Sequence, residues 1–160
     1  MTTTAIPSLH GQATVALPQD EAFAFFTGSM TRWWPADYHI GAADMADAVL
    51  EPREGGRWYE RGADGSECEW GRVLTWEPPH RLVVTWQING SWQYDDDPAH
   101  ASEIEVTFTA DGPDRTVVDL EHRHLGRLVD GQALRDGIAD AGGGWSTMLE
   151  LFAKAAEASR

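Results

Sequence analysis

Cysteine and positive charge are both scarce in this sequence. Of its 160 residues one is a cysteine, Cys68, and 12 are lysine or arginine against 26 aspartate or glutamate, which gives a formal net charge of −14. A single cysteine excludes an intramolecular disulfide and is typical of a reducing compartment, which predicts a cytoplasmic protein. Because an acidic surface repels phosphate groups, we expect neither nucleic acid nor a membrane among its partners.

Long apolar runs and familiar catalytic motifs are also missing. No apolar stretch approaches the roughly 20 residues that cross a bilayer, and residues 1–7 have neither the basic nor the apolar segment of a secretory signal. The sequence contains no nucleophile elbow, no phosphate-binding loop and no dinucleotide fingerprint after a strand. We therefore predict neither a cofactor nor a bound metal.

Tryptophan, in contrast, is abundant, with eight residues spread along the chain. An indole ring supplies a large apolar surface and one N–H donor, so several together can line a cavity and orient a polar atom of a ligand. The alternative is that each ring only fills the core. We expect Trp76 and Trp92, near strand ends or loops, to cover edges. The six expected to face a cavity are Trp33, Trp34, Trp58, Trp70, Trp86 and Trp145.

The spacing of apolar residues predicts a strand, two short helices, six strands and a return to helix. Residues 9–17 alternate as a first strand, and helices are expected at 18–27 and 30–34. From residue 45 to 124 the period is two, and Gly, Pro and Asp mark short turns, which favours an antiparallel meander. The six strands are expected at 46–51, 56–61, 67–77, 81–89, 102–110 and 115–123.

The same patterns predict how the elements pack. Alternation places Leu82, Val84 and Trp86 on a dry face of the sheet, with Glu103 and Glu105 on a wet face. A short helix near 131–139, a glycine hinge at 142–144 and a main helix at 144–158 follow, the last with an apolar stripe. We predict an α+β fold, one domain over residues 1–160 with its core at about 9–158, in which a curved sheet of about seven strands wraps the C-terminal helix.

Several segments together resemble a known superfamily. They are RWW (32–34), EPREGGRWYERGADGSE (51–67), WGRVLTWEPPHRLVVTW (70–86), TVVDLEHRHL (116–125) and GGWSTMLELFAKAAE (143–157). In order and spacing they resemble the START-like (SRPBCC, helix-grip) superfamily of polyketide cyclases and Bet v allergens, and within it the homologues of activators of the heat-shock-protein-90 ATPase. The resemblance implies an incomplete seven-stranded barrel that grips the C-terminal helix and encloses a cavity, where many relatives bind hydrophobic small molecules.

Three functions follow from this resemblance. The first is a binding protein, monomer or homodimer, that holds a hydrophobic and in particular aromatic ligand between the sheet and the C-terminal helix. The second is a cyclase or dehydratase, a lyase acting on a polycarbonyl or aromatic substrate, and the third is a regulator of a chaperone ATPase. We favour binding over catalysis. The expected ligand-binding residues are Trp33, Trp34, Trp58, Trp70, Trp86, Phe108, His122, Trp145, Met148 and Leu149.

A few polar residues are candidates for chemistry. On a strand, His122 and His124 would share a face and could share a metal, but zinc needs a third ligand that the sequence does not supply, so His122 is a polar ligand contact or a structural histidine. Arg72 and Glu60 could both face inward, and either one could then act with His122 in proton transfer; the alternative is that they face solvent.

Two further features concern reactivity and access. Cys68 stands between Glu67 and Glu69, whose charges should raise the pKa of its thiol, so we expect it to serve in packing. We expect residues 33–35 and the loop at 89–101 to move when a ligand enters, with the three adjacent aspartates of that loop favouring an extended course.

Overall fold

Residues 6–140 and 144–159, which the computed structural model describes, form a seven-stranded antiparallel sheet and four α-helices. The strands are β1 Leu9–Val15, β2 Met45–Leu50, β3 Arg57–Gly62, β4 Glu67–Glu77, β5 Arg81–Trp86, β6 Ser102–Ala110 and β7 Thr116–Arg123. The helices are α1 Gln19–Gly28, α2 Met30–Trp33, α3 Gly131–Asp140 and α4 Gly144–Ala158. These elements confirm the order predicted from the sequence.

The sheet has the order β1-β7-β6-β5-β4-β3-β2. The first strand pairs with the last, from Leu9 opposite His122 to Val15 opposite Thr116. The chain then passes through α1 and α2 to the far edge and returns strand by strand, since each of β2 to β6 is hydrogen-bonded to its successor. The result is the helix-grip fold.

Helix α4 lies on the dry face of the sheet. Leu149 and Phe152, one turn apart, are completely buried, and Trp145 and Ala156 continue the same stripe. On the opposite face of the sheet, Arg123 pairs with Glu103 at 3.1 Å. The predicted separation into a dry and a wet side is therefore confirmed.

A β-bulge in β4 decides which side chains of that strand face inward. Trp58 is opposite Gly71 and Tyr59 is opposite Glu69, so Trp70 is an extra residue without a partner on β3. Trp70 and Gly71 are both buried as a result, and the following Arg72 is exposed. Side chains of a strand normally alternate between the two faces of the sheet. The bulge shifts this alternation by one residue, so the residues after it face the opposite side from the one that strict alternation would give.

The end of β5 differs from the prediction, whereas the end of β7 agrees with it. Strand β5 ends at Trp86 instead of residue 89, and Ile88 forms a single bridge to Tyr94 across the following loop. His124 adopts a left-handed backbone with φ of 58°, which ends β7 at Arg123. Of the expected glycine hinge, residues 142 and 143 lie outside the described residues. In the described ranges no helix is long and apolar enough to cross a membrane.

Candidate ligand-binding pocket

A cavity of about 290 Å³ opens where the N-terminus of α4 meets the end of the sheet. Its walls come from the loop at 37–40, strands β4 and β5, the segment 88–92, α3 and α4. Four buried tryptophans, one each from the end of α2, β4, β5 and α4, form its inner surface: Trp34, Trp70, Trp86 and Trp145. The space directly beneath α4 is filled, since only about 20 Å³ remains there.

The tryptophans of this wall are packed against one another. The ring centroids of Trp34 and Trp70 are 5.1 Å apart, and those of Trp86 and Trp145 are 5.8 Å apart at an interplanar angle of 87°. Trp58 lies behind them, 5.3 Å from Trp70 and 6.0 Å from Trp86. The pairs Trp86–Trp145 and Trp58–Trp70 are edge-to-face, an arrangement that aromatic quadrupoles favour, and the other two pairs are tilted. The wall is thus a connected cluster of five indoles.

Each indole N–H of the cluster already has a partner inside the protein. Trp34 donates to the carbonyl oxygen of Tyr38 at 2.8 Å, and Trp86 donates to that of Ile88 at 2.9 Å. Trp58 donates to the Met30 sulfur at 3.2 Å. Trp70 and Trp145 donate to side chains described below. The expectation that an indole N–H orients a ligand atom is therefore wrong here, because these N–H groups orient the rings themselves.

His122 belongs to a closed hydrogen-bond chain behind the pocket. Trp145 Nε1 donates to His122 Nδ1 at 3.3 Å, and because an indole only donates, Nε2 of His122 carries the ring proton. That nitrogen lies 2.9 Å from Ser102 Oγ, which donates in turn to the carbonyl oxygen of Trp86 at 2.8 Å. Complete burial lowers the pKa of His122 to about 3, so the ring is neutral at pH 7.

Glu60 is the buried acid of the site and is only 1% exposed. Its Oε1 accepts three hydrogen bonds, from the backbone N–H of Ile40 at 2.7 Å, from that of Gly41 at 3.1 Å and from Trp70 Nε1 at 3.0 Å. Its Oε2 lies 3.2 Å from Nδ1 of His39. One carboxylate thus ties the 37–40 loop to the tryptophan wall.

The structure separates the residues expected to bind a ligand into three groups. Trp34, Trp70, Trp86, Trp145 and Met148 line the pocket. Trp33, Trp58 and Leu149 border the small void beneath α4. Phe108 and His122 are buried but border neither space.

The other polar candidates do not come together as one site. Of the two alternatives for Arg72 and Glu60, neither holds for both residues: Arg72 is exposed on the outer face and Glu60 faces inward. His124 is exposed beyond the end of β7, so it shares no face with His122. Among residues 6–140 and 144–159, no group of three His, Cys, Asp or Glu side chains is placed to hold a metal ion.

Cys68, on β4, lies opposite Glu60 of β3. Burial raises the pKa of its thiol, and the charges of Glu60 and Glu69 raise it further. The direction agrees with the sequence-based expectation, but Glu60 takes the part expected of Glu67. Glu67 points outward and pairs with Arg57 at 3.1 Å.

The rim of the pocket contains residues that the sequence did not identify. Trp92, expected to cover an edge, lines the mouth and is 44% exposed, with a left-handed backbone at φ of 58°. Its ring lies against Gly137 of α3, where an added Cβ would be 2.9 Å from Trp92 Cζ2. Tyr38, His39 and Ile138 complete this side. The loop that carries His39 has no periodic pattern, so its aromatic and polar composition is the one signal that could have pointed to it.

The sequence and structure are similar to those of known proteins. The family model described as "Activator of Hsp90 ATPase homolog 1-like protein" matches residues 16–157. A solved structure described as an anthrahydroquino-gamma-pyrone synthase, Txn09, is 38% identical, with 94% of this chain and 97% of that chain covered and a TM-score of 0.67. No curated protein sequence matches the chain.

Two further solved structures have the same fold. CalC from Micromonospora echinospora, described as a self-sacrificing resistance protein, is 32% identical, with 96% of each chain covered and a TM-score of 0.70. An AHSA1-like protein from Aeromonas hydrophila is 16% identical, with 96% of this chain and 94% of that chain covered and a TM-score of 0.61. The last comparison concerns the fold alone.

Proposed function

Because the chain belongs to the family of activator of Hsp90 ATPase homolog 1-like proteins, within the START-like (SRPBCC) superfamily, we propose that its tryptophan-lined pocket binds a planar aromatic small molecule of the polyketide type. The observation that carries this proposal is the wall of four buried indoles around a cavity of about 290 Å³. We place this binding in the cytoplasm, in keeping with the single cysteine.

The size and chemistry of the pocket favour a flat ligand. Small-molecule pockets span about 300–1,000 Å³, so this one is at the lower end and suits a few fused rings without long substituents. Its walls present indole faces whose N–H groups are engaged elsewhere, so apolar contact and stacking supply the affinity. Since the rings are already held in place, little side-chain entropy is lost on binding.

The test is a calorimetric titration with 7-methoxycoumarin, a two-ring planar probe, followed in parallel by tryptophan emission. We expect saturable binding to one site. Ile138→Trp, which fills the mouth of the pocket from α3, should weaken binding at least tenfold. Leu151→Trp places the same side chain on the exposed face of α4 and should leave binding unchanged. Equal binding by both variants, or no binding by the folded wild type, would contradict the proposal.

A second candidate function is a ring closure with loss of water. The 38% identity to Txn09, a synthase by its description, favours it. A suitable probe is 1-(2-hydroxyphenyl)butane-1,3-dione, whose phenol oxygen attacks the distal ketone and, after loss of one water, gives 2-methylchromone. We expect chromone formation above the buffer rate with the wild type and at the buffer rate with Ile138→Trp. Identical rates in both would leave binding as the function.

A further inference from the structure

One pair of titratable groups lies at the wall of the pocket: the half-buried His39, which lines it, and the buried Glu60 behind it. His39 forms part of the pocket wall, and Nδ1 of its ring lies 3.2 Å from Oε2 of Glu60. The other polar side chains at this wall, Asp37 and Tyr38, are exposed to solvent. In a pocket whose surface is mostly apolar, a single polar group can fix the orientation of the ligand.

Glu60 is held more firmly than its partner. Three N–H donors fix Oε1, which leaves Oε2 directed towards His39. Gly41 makes this approach possible, because a Cβ at that position would lie 2.9 Å from Oε2. The carboxylate is therefore preorganised, with a formal negative charge beside the imidazole and with Trp70 linking it to the indole wall.

The imidazole of His39 is the part of the pair that still has bonding capacity. Nδ1 of His39 is buried and lies near Glu60, but the N–H at this nitrogen is not aligned well enough to form a hydrogen bond with the carboxylate. Nδ1 has no other hydrogen-bond partner. The side chain is 21% exposed, so the accessible surface belongs to its other atoms. Contacts of this kind are often loose without a ligand and tighten when one binds. In His122, by contrast, both ring nitrogens are engaged.

Resting on the proposed function, we infer that His39 is the proton acceptor of the pocket and recognises an acidic hydroxyl group, phenolic or enolic, on the bound aromatic ligand. The hydroxyl proton moves to Nε2 of His39, the ligand oxygen keeps the electron pair and becomes the anion, and the ring becomes an imidazolium. Glu60 acts as a positioning residue that stabilises this positive charge through Nδ1. The ligand class is therefore hydroxylated planar aromatics.

The test compares two probes that differ in one methyl group, 7-hydroxycoumarin and 7-methoxycoumarin. Calorimetry measures their affinities, and absorbance measures how much of the bound 7-hydroxycoumarin is the anion, which absorbs at longer wavelength than the neutral form. We expect the wild type to bind the hydroxyl probe roughly three- to tenfold more tightly, the range of one hydrogen bond. The anion fraction should be larger in the complex than in buffer at the same pH.

His39→Phe should abolish this preference and the gain in anion while 7-methoxycoumarin still binds. His10→Phe, the same substitution at an exposed site on β1, should change neither quantity. Glu60→Gln should lower the anion fraction more than the affinity, a result that a merely structural role would not produce. Should His39→Phe fail to fold, His39→Gln keeps a polar side chain there and should lose the anion signal.

The outcomes separate the two proposals. If neither coumarin binds the folded wild type, the pocket assignment fails and the inference about His39 falls with it. If both bind with equal affinity, or if the preference survives in His39→Phe, the pocket assignment stands and the inference about His39 is overturned.

Discussion

The indole N–H of Trp145 donates a hydrogen bond to Nδ1 of His122 across 3.3 Å, so a wall of the pocket is oriented by a histidine that does not itself border the pocket. Ser102 extends the chain to the backbone of Trp86, which links two of the four wall tryptophans through polar contacts as well as ring packing. His122 therefore has a structural part in the site, and its substitution tests that part directly.

The first prediction concerns acid stability. The pKa of His122 falls from 6.5 to about 3 in the folded protein, so the unfolded chain binds a proton between these values and the folded chain does not. Stability from the neutral ring is therefore complete above pH 6.5 and is lost as pH falls towards 3. The wild-type advantage in unfolding free energy over His122→Leu should shrink by about 2 kcal/mol between about pH 7.5 and about pH 5.

Urea denaturation of both proteins at each pH measures this advantage. His122→Leu should itself be destabilised by roughly 2–4 kcal/mol at neutral pH, because it leaves the Trp145 N–H and Ser102 without their partner. An advantage that stays constant with pH would show that His122 takes up a proton inside the folded protein.

The second prediction concerns Glu60. Glu60→Leu removes the acceptor for two backbone amides and the Trp70 indole, so we expect a loss of about 3 kcal/mol or more in unfolding free energy. Glu60→Gln keeps an acceptor oxygen and should cost less than half as much. Glu121→Leu on the outer face of β7 serves as the control, within about 1 kcal/mol of wild type. Similar losses for Glu60→Leu and Glu121→Leu in chemical denaturation would contradict this account.

The third prediction concerns the mouth of the pocket. Gly137→Ala places a Cβ 2.9 Å from the Trp92 ring, so the ring must move, while α3 gains about 1 kcal/mol of helix propensity. In protein labelled with 5-fluorotryptophan, we expect the resonance of Trp92 to shift most, with Trp92→Phe providing its assignment. Gly126→Ala has open space at its Cβ and should shift none of the resonances by a comparable amount. An unmoved Trp92 signal would refute the contact.

The fourth prediction concerns access to the pocket. The aspartate loop is more structured than its charge suggests, because Asp95 lies 2.7 Å from His100 and Asp97 caps a short 3₁₀ helix at Pro98–His100. Apart from the hydrogen bond that the Gly90 N–H donates to the carbonyl oxygen of Val129 at 2.9 Å, most of its bonds are local. Amides in 89–101 should therefore exchange faster than those of β6 and β7 and slow when 7-methoxycoumarin binds. The turn at 111–114, at the other end of β6, is the control and should be unaffected. Equal protection in loop and strands would place the entrance elsewhere.

The strands and the main helix could be read from the sequence because their periodicity is strong. Val118, Leu120 and His122 alternate with charged residues along β7, and the apolar stripe of α4 starts at Trp145. Whether each of these side chains faces the core follows from one repeating pattern of apolar residues, which a polar substitution would interrupt. The fold followed from such patterns together with the short turns between strands.

The site was harder to predict because it depends on features without a pattern. The bulge at Trp70 shifts the alternation of β4 by one residue, which buries Trp70 and exposes Arg72. His39 lies on an irregular loop whose course is set by two backbone hydrogen bonds, from Ile40 and Gly41 to the distant Glu60. The indole of Trp70 holds the same carboxylate oxygen. Trp92 lies at the mouth of the pocket because its backbone is left-handed, and the residues next to it in the sequence do not predict that conformation.

The walls of the pocket come from three parts of the chain: residues 34–40, residues between 70 and 92, and the described residues of α3 and α4. A chain that lacks the third part has no N-terminus of α4, so the cavity cannot form. A ligand of this pocket would bind only the fully assembled protein and would stabilise it by mass action, in proportion to the logarithm of its concentration once saturation is passed. Ligand supply and the abundance of folded protein would in this way be thermodynamically linked.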